Sequence, residues 1–260
     1  MTSGLVVAFW VMLGAATGSF LNVVVDRLPE GRSFLSPPSH CAACDHRLSP
    51  AELVPVWSYL ALQGRCRVCS VPIGVRTFIL ELGTGLLFGL EALKVAPREP
   101  EEWVTLVLAS AYLAVLVVVT VTDLEHGLIL NKVIIPAIGL GLIGALLAGW
   151  PHLLLHLGGG LLGSGVIILI ITLVPGGMGW GDVRLAGFIG LVTRLPGVLF
   201  ALFVGFVSGG IVAGALLASG RRKPGETIPL GPFLAFGGGT ALLYGEEMLQ
   251  TFYALAALLG

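Results

Sequence analysis

Runs of about 20 apolar residues recur along the whole chain, and each is long enough to cross the hydrocarbon core of a bilayer. Only 11% of the 260 residues are charged and 56% are hydrophobic, whereas soluble domains carry about 25% charged residues. The predicted spans lie at about 4–24, 76–95, 103–122, 132–150, 153–174 and 198–219, with a shorter stretch at 182–194 and an apolar tail at 231–259. The sequence therefore predicts an all-α polytopic membrane protein with about eight transmembrane helices.

The positively charged residues are divided unevenly between the two sides of the predicted membrane. When eight spans alternate, eleven of the 14 Lys and Arg residues fall on the side that carries the loops 25–75 and 220–230. By the positive-inside rule this side is cytoplasmic, and both chain ends lie outside. The net charge of -1 gives no basic excess, so no nucleic acid partner is expected.

One loop is long enough to form a domain, which divides the chain into a first transmembrane helix at 1–24, a cytoplasmic domain at 25–75 and a transmembrane domain at 76–260. The loop has few aliphatic runs and can build little core. It contains all four cysteines, in two C-x-x-C pairs: Cys41, Cys44, Cys66 and Cys69. Two such pairs can supply four thiolates to one tetrahedral zinc ion. A zinc-ribbon-like domain is therefore predicted.

Other readings of the four cysteines remain open. Two disulfides would also use all of them, but a reducing cytoplasm disfavours persistent disulfides. An empty or redox-active site is a further alternative. His40 and His46 flank the first pair and are expected to be solvated, because four cysteines already complete a tetrahedral site.

Two aspartates stand at predicted span boundaries on the cytoplasmic side, where an ionised group close to hydrocarbon costs roughly 2.5–3.5 kcal/mol. Asp123 ends the third predicted helix, and Asp182 follows the glycine-dense segment 176–181. A facing pair of carboxylates can activate water and protonate a leaving amine. Gly179 and Gly181 lack side chains that would keep a peptide substrate away. The alternative is that each aspartate is an interfacial charge or a helix cap, with Asp182 as an N-cap.

Several motifs occur in the order that is typical of one protease family. The segment Gly179-Trp180-Gly181-Asp182 fits the G-x-G-D signature of membrane aspartyl proteases. The chain resembles the bacterial type IV prepilin peptidases over nearly its whole length. The other segments that carry the resemblance are the two cysteine pairs, Gly18-Ser19-Phe20-Leu21-Asn22-Val23-Val24, Arg27-Leu28-Pro29, Glu81-Leu82, Asp123-Leu124-Glu125-His126 and Gly231-Pro232-Phe233-Leu234-Ala235.

The resemblance implies an inner-membrane enzyme that removes leader peptides from prepilins and type II secretion pseudopilins at the cytoplasmic face, cutting after a glycine. Asp123 and Asp182 would be catalytic. Many members also methylate the new amino terminus with S-adenosylmethionine, so this cofactor is implied as well. One departure is Ile129-Leu130-Asn131, where the family usually has Ile-Pro-Asp or Ile-Pro-Asn, and it affects the local loop rather than the two acids.

Three further residues are candidates for substrate contact or support. Glu81 lies inside the second predicted span, where a carboxylate normally faces the protein interior. Glu125 and His126 follow Asp123, and His126 at i+3 could hydrogen-bond to it on a continuous helix. Glu91 is expected to be solvated near the outer side.

Two other classes of protein would also use such acids. A presenilin-like or preflagellin-type protease keeps the acid pair but has no reason to carry the four-cysteine loop. A transporter could use Asp123, Asp182 and Glu81 as an ion relay.

Overall fold

The computed structural model of the chain describes residues 2–174, 176, 178–223 and 228–259. Gly177 and residues 224–227 of the loop 220–230 therefore lie outside the described residues. Within that range the structure is helical, with two isolated β-bridges and no strand. The elements are α1 Thr2–Arg27, a 3-10 turn Pro50–Leu53, α2 Trp57–Ala61, α3 Val75–Val95, α4 Pro100–His126, α5 Asn131–Leu147, α6 His152–Leu173, α7 Trp180–Ala218 and α8 Gly231–Leu259.

The helices follow the predicted spans. Four helical segments are long and apolar enough to cross a membrane, Gly4–Arg27, Pro100–His126, His152–Leu173 and Trp180–Ala218, and Asn131–Leu147 is a shorter apolar helix. The predicted all-α polytopic membrane fold is thus confirmed, and the chain is a multi-pass membrane protein.

The predicted interruption between the segments 182–194 and 198–219 is present. They were expected as separate helices, and within Trp180–Ala218 (α7) they are two helical arms separated by a non-helical break. The backbone leaves helical geometry at Arg194, with φ 51°, and at Leu195, immediately before Pro196. Proline disrupts the helical hydrogen-bond ladder and clashes with the preceding turn, so it accounts for a kink at this point.

The chain forms two compact units, residues 1–118 and 119–260. The predicted division at residues 24 and 75 stays a prediction. In the first unit α1 packs against α3. A Cβ atom at Gly18 would come within 2.5 Å of the Leu80 carbonyl oxygen, so only glycine permits this approach. Small residues at such contacts allow membrane helices to pack closely.

Glu91 shows that a charged residue of α3 is part of this packing. It is only 3% exposed, and the Ser110 hydroxyl donates to its Oε2 at 2.9 Å. The indole N–H of Trp10 in turn donates to the Ser110 oxygen at 2.9 Å. The expectation of a solvated Glu91 was therefore wrong, because Glu91 is buried within the first unit and accepts a hydrogen bond from Ser110 of α4.

In the second unit α7 packs against α5, α6 and α8. Phe188 and Ile189 of α7 are fully buried. A Cβ atom at Gly163 of α6 would collide with the Ala186 carbonyl oxygen, and one at Gly237 of α8 would collide with that of Ala201. The three helices therefore meet at backbone distance, with glycine at each contact.

This packing predicts opposite effects for two neighbouring glycines of α6. Gly163→Ala should destabilise the protein by about 1–3 kcal/mol, because overpacking forces the helices apart. Gly165→Ala is the matched control, since a Cβ atom at Gly165 has no neighbour within 4 Å and alanine favours a helix over glycine. Thermal unfolding in detergent measures the difference. Equal unfolding temperatures for the two variants would contradict this account of the α6 and α7 contact.

Candidate active site

Asp123 lies in the last turns of α4 and is only 6% exposed. Its Oδ2 accepts the backbone N–H of Gly231, the first residue of α8, at 2.9 Å. The first N–H groups of a helix have no partner inside the helix, and the helix dipole makes that end positive. The start of α8 therefore holds this carboxylate in place.

Gly231 contacts Asp123 through its backbone, and the sequence did not identify this contact. A Cβ atom there would lie 2.5 Å from Asp123 Oδ2, so any side chain would displace the carboxylate. Pro232 follows in the first helical turn, where its missing N–H costs little. The available signal was the Gly231-Pro232 pair in front of an apolar run, which had only been used as part of the family resemblance.

Asp182 is held by the start of α7 in a similar way. It is the third residue of that helix, and its Oδ2 accepts the N–H of Gly179 at 2.9 Å. The carboxylate thus reaches back to the cap residue, as the acidic residue of a capping box does. The alternative that Asp182 caps α7 is partly right: its carboxylate takes part in the capping box, but the N-cap residue is Gly179.

The two carboxylates both lie in the second unit. The Asp182 carboxylate lies within electrostatic range of that of Asp123. Each has one oxygen fixed by a backbone N–H at 2.9 Å. Both of these contacts are made by Oδ2. One oxygen of each acid is thus available to water or a peptide bond.

The two glycines of the signature have different surroundings. A Cβ atom at Gly181 would lie 3.0 Å from Ile129 Cβ, whereas one at Gly179 would meet only Asp182 Oδ2 at 3.7 Å and the Gly181 nitrogen at 3.8 Å. Gly181 therefore packs against the segment before α5, and the space at Gly179 is more open.

A second contact steadies the first turn of α7. Arg184 lies two residues after Asp182, and its guanidinium donates to Asn131 Oδ1 at 2.7 Å. Asn131 begins α5. Sequence reasoning missed this pair, although Asn131 is the residue that the chain retains where it departs from the family pattern.

The remaining acidic and histidine candidates have other surroundings. Glu125 and His126 are exposed at the end of α4, and the described structure contains no hydrogen bond from His126 to Asp123. Glu81 belongs to the first unit and is 5% exposed. Its Oε2 accepts the backbone N–H of Val56 at 2.7 Å, so α3 is tied to the residue before α2.

The four cysteines form a cluster with the dimensions of a metal site. All four Sγ atoms lie within 4.8 Å of one another. Cys41 and Cys69 are 3.7 Å apart at Sγ, and Cys44 and Cys66 are 3.9 Å apart. A tetrahedral site with Zn–S bonds of ~2.3 Å requires sulfur separations of about 3.8 Å. The thiols are free rather than bonded in disulfides, so the cluster is able to bind a metal ion.

The two cysteine pairs sit in matching turns. Cys41 donates its N–H to the His46 carbonyl, and Cys66 donates to that of Val71, both at 2.9 Å. The residue after each second cysteine has a positive φ, 55° at Asp45 and 58° at Ser70. The same local fold is therefore used twice, 25 residues apart, to aim two thiols at a common point.

The neighbouring histidines are engaged elsewhere. His40 Nδ1 lies 2.9 Å from the Pro38 carbonyl oxygen, and His46 Nε2 lies 3.2 Å from Glu52 Oε2. Hydrogen bonds from the Ser49 hydroxyl and backbone, together with His46, lower the pKa of Glu52 to about 2. Neither histidine is a member of the thiol cluster.

Comparison with known proteins decides the family. A family model described as the bacterial peptidase A24 N-terminal domain matches residues 12–95, and one described as the type IV leader peptidase family matches residues 110–214. The chain belongs to the type IV leader peptidase family. It is therefore a membrane peptidase of the inner membrane, and the four-cysteine loop lies within the first matched region.

Curated relatives match almost the full chain. A protein of Pseudomonas aeruginosa named prepilin leader peptidase/N-methyltransferase is 32% identical over 95% of this chain and 93% of its own length. A protein of the same name from Stutzerimonas stutzeri is 30% identical over 95% of this chain and 94% of its own length. Another of that name from Bacillus subtilis is 30% identical over 94% of this chain and 97% of its own length. No solved structure matches the chain. Family membership favours the peptidase over an ion-relay transporter.

The geometry of Gly231 generates a prediction about activity. If Asp123 takes part in the reaction, Gly231→Ala should slow leader cleavage by at least about 10²-fold, since small displacements of a reacting group carry costs of this order. Gly245→Ala is the control in the same helix, because a Cβ atom there has no neighbour within 4 Å. Initial cleavage rates of a precursor by the two purified variants provide the measurement. Wild-type rates for Gly231→Ala would mean that Asp123 need not be held in this way.

Proposed function

We propose that the chain removes the leader peptides of type IV prepilins and type II secretion pseudopilins, with Asp123 and Asp182 as the catalytic pair. The observation that carries this proposal is the pair of carboxylates at helix ends, each fixed through one oxygen by a backbone N–H. The names of the relatives support the substrate class.

The chemistry follows from the arrangement of the pair. One carboxylate, in its ionised form, takes a proton from water as the water oxygen attacks the scissile carbonyl carbon. The other carboxylate, in its acid form, gives its proton to the leaving nitrogen as the peptide bond breaks. The products are a leader with a new carboxylate and a mature chain with a new amino terminus. The open space at Gly179 suits an extended peptide backbone beside Asp182.

Replacing either acid should abolish cleavage. Asp123→Asn and Asp182→Asn keep size and polarity but cannot transfer the proton, so each should lower the rate by about 10²–10⁴-fold or more. The double variant should be hardly worse than either single one, as expected for groups that act as a unit. Cleavage rates are measured with variants shown to be inserted in the membrane and able to bind precursor.

Asp26→Asn is the control for these variants. Asp26 lies at the end of α1 and pairs with Arg76, away from the acid pair in the chain, and its replacement should cost far less. If Asp182→Asn cleaved at close to the wild-type rate, Asp182 would be a helix cap only and the catalytic pair would have to be abandoned.

We also place the acid pair at the cytoplasmic face. The uneven distribution of Lys and Arg supports this orientation. A phosphatase fused near residue 60 should be inactive, since that enzyme needs the periplasm, and a cytoplasmic reporter at the same position should be active. Phosphatase activity from that fusion would reverse the orientation while leaving the geometry of the acids unaffected.

The four cysteines would hold one structural zinc ion. Cys41, Cys44, Cys66 and Cys69 fit its tetrahedral geometry, and no further ligand is needed. A bound ion would supply folding energy to a loop that has little core of its own. Glu81 would support the same domain from α3 through its hydrogen bond to Val56.

Zinc removal should loosen this domain. Cys66→Ser should lower the zinc content from one ion per chain and make residues 25–75 sensitive to limited proteolysis, because metal binding is coupled to folding. Ser70→Ala is the control, since it leaves all four thiols in place. Metal analysis that finds no zinc in freshly purified, reduced protein would rule out this role for the cysteines.

Methylation of the new amino terminus is a second candidate activity. It is supported by the names of the relatives. In soluble nucleotide-binding folds a glycine-rich turn joins a strand to a helix. The described residues include no strand and hence no site of that kind for S-adenosylmethionine.

A further inference from the structure

A groove in the first unit runs along one face of α1 and is not used by the acid pair. Its volume is about 290 Å³. The wall on α1 consists of residues spaced by three or four positions, which places them on one side of a helix. They are Ala16, Ser19, Phe20, Val23 and Arg27. Part of this face belongs to the first segment that carries the family resemblance, to which the peptidase chemistry gives no task.

The opposite wall comes from the start of the following loop, together with Leu53. It contains the loop residues Phe34, Leu35, Pro37, Pro38 and Ser39. The Phe20 and Phe34 rings meet edge to face at 6.0 Å, and both remain more than 40% exposed. Exposed apolar patches of this kind mark binding or membrane surfaces.

The groove extends from the middle of a membrane span to its end. Arg27 follows Ala16 by eleven positions on the helix, which is about 16.5 Å at 1.5 Å per residue. This is about half of the ~30 Å hydrocarbon thickness. An occupant would therefore have an apolar part at Ala16 to Val23 and a headgroup at the depth of Arg27.

The charge at that end of the groove lacks a counterion within the described residues. Arg27 is only 8% exposed, and its Nη1 donates to the carbonyl oxygens of Ser33 at 3.3 Å and Pro37 at 2.7 Å. No described carboxylate pairs with it. The two nearest acids along the chain are engaged elsewhere, Asp26 with Arg76 and Glu30 with Arg32.

A buried cation without a counterion is costly, and a guanidinium has five N–H donors, with a fork that matches phosphate. An anion in the groove would neutralise the charge of Arg27 and accept hydrogen bonds from its guanidinium. We propose that this groove binds one anionic phospholipid, with its acyl chain along Ala16 to Val23 and its phosphate at Arg27.

The test uses the full chain reconstituted in phosphatidylcholine nanodiscs that contain 0 or 30% phosphatidylglycerol. The lipid retained after extraction is counted by native mass spectrometry. Wild-type protein should retain one phosphatidylglycerol, with a preference over phosphatidylcholine of at least about 10-fold. Arg27→Gln should lose this preference. Arg32→Gln, which changes an exposed arginine already paired with Glu30, should keep it.

Arg27→Gln also removes the hydrogen bonds of Arg27 to the loop, so its effect could come from misfolding of that loop. A second variant controls for this. Ala16→Trp fills the apolar end and leaves the charge in place, so it should also abolish retention. Three results would overturn the proposal: no preference in the wild type, retention by both Arg27→Gln and Ala16→Trp, or displacement of the lipid by inorganic phosphate alone. Displacement by an excess of precursor would also overturn it, because the groove would then be a peptide site.

Discussion

A charge inside a membrane protein must find its partners within the protein, because the hydrocarbon offers none. The polar contacts of this chain follow from that constraint. Asp123 and Asp182 are each met by a backbone N–H where α8 and α7 begin, and Glu91 is met by Ser110. Helix ends are suited to carboxylates, since their free N–H groups and positive dipole stabilise negative charge. An acid fixed by backbone atoms keeps its second oxygen for chemistry.

Glycine makes these contacts geometrically possible. Gly231 allows the start of α8 to touch Asp123, and Gly163 allows α6 to approach α7. In both places the backbone replaces side chains as the contact surface. The high content of 38 glycines therefore reflects close packing in a membrane as much as flexibility.

The sequence predicted the features that depend on local pattern and failed where distant segments meet. Apolar runs located the helices, and the two C-x-x-C pairs predicted a cluster with metal-site spacing. The contact between Asp123 and Gly231 joins residues 108 positions apart, and the Trp10 to Ser110 bond joins residues 100 apart. No periodicity encodes such contacts, so the role of Gly231 and the burial of Glu91 could not be predicted. The break between the segments 182–194 and 198–219 was predicted, and the structure has it at Arg194 and Leu195, immediately before Pro196.

The central claim is that this arrangement of helix ends and carboxylates is a leader peptidase. The most direct measurement is to incubate the purified, reconstituted chain with a full-length prepilin and to sequence the amino terminus of the product. The account predicts a single new amino terminus at the leader boundary, following a glycine. An intact precursor in the presence of folded, membrane-inserted protein would contradict it.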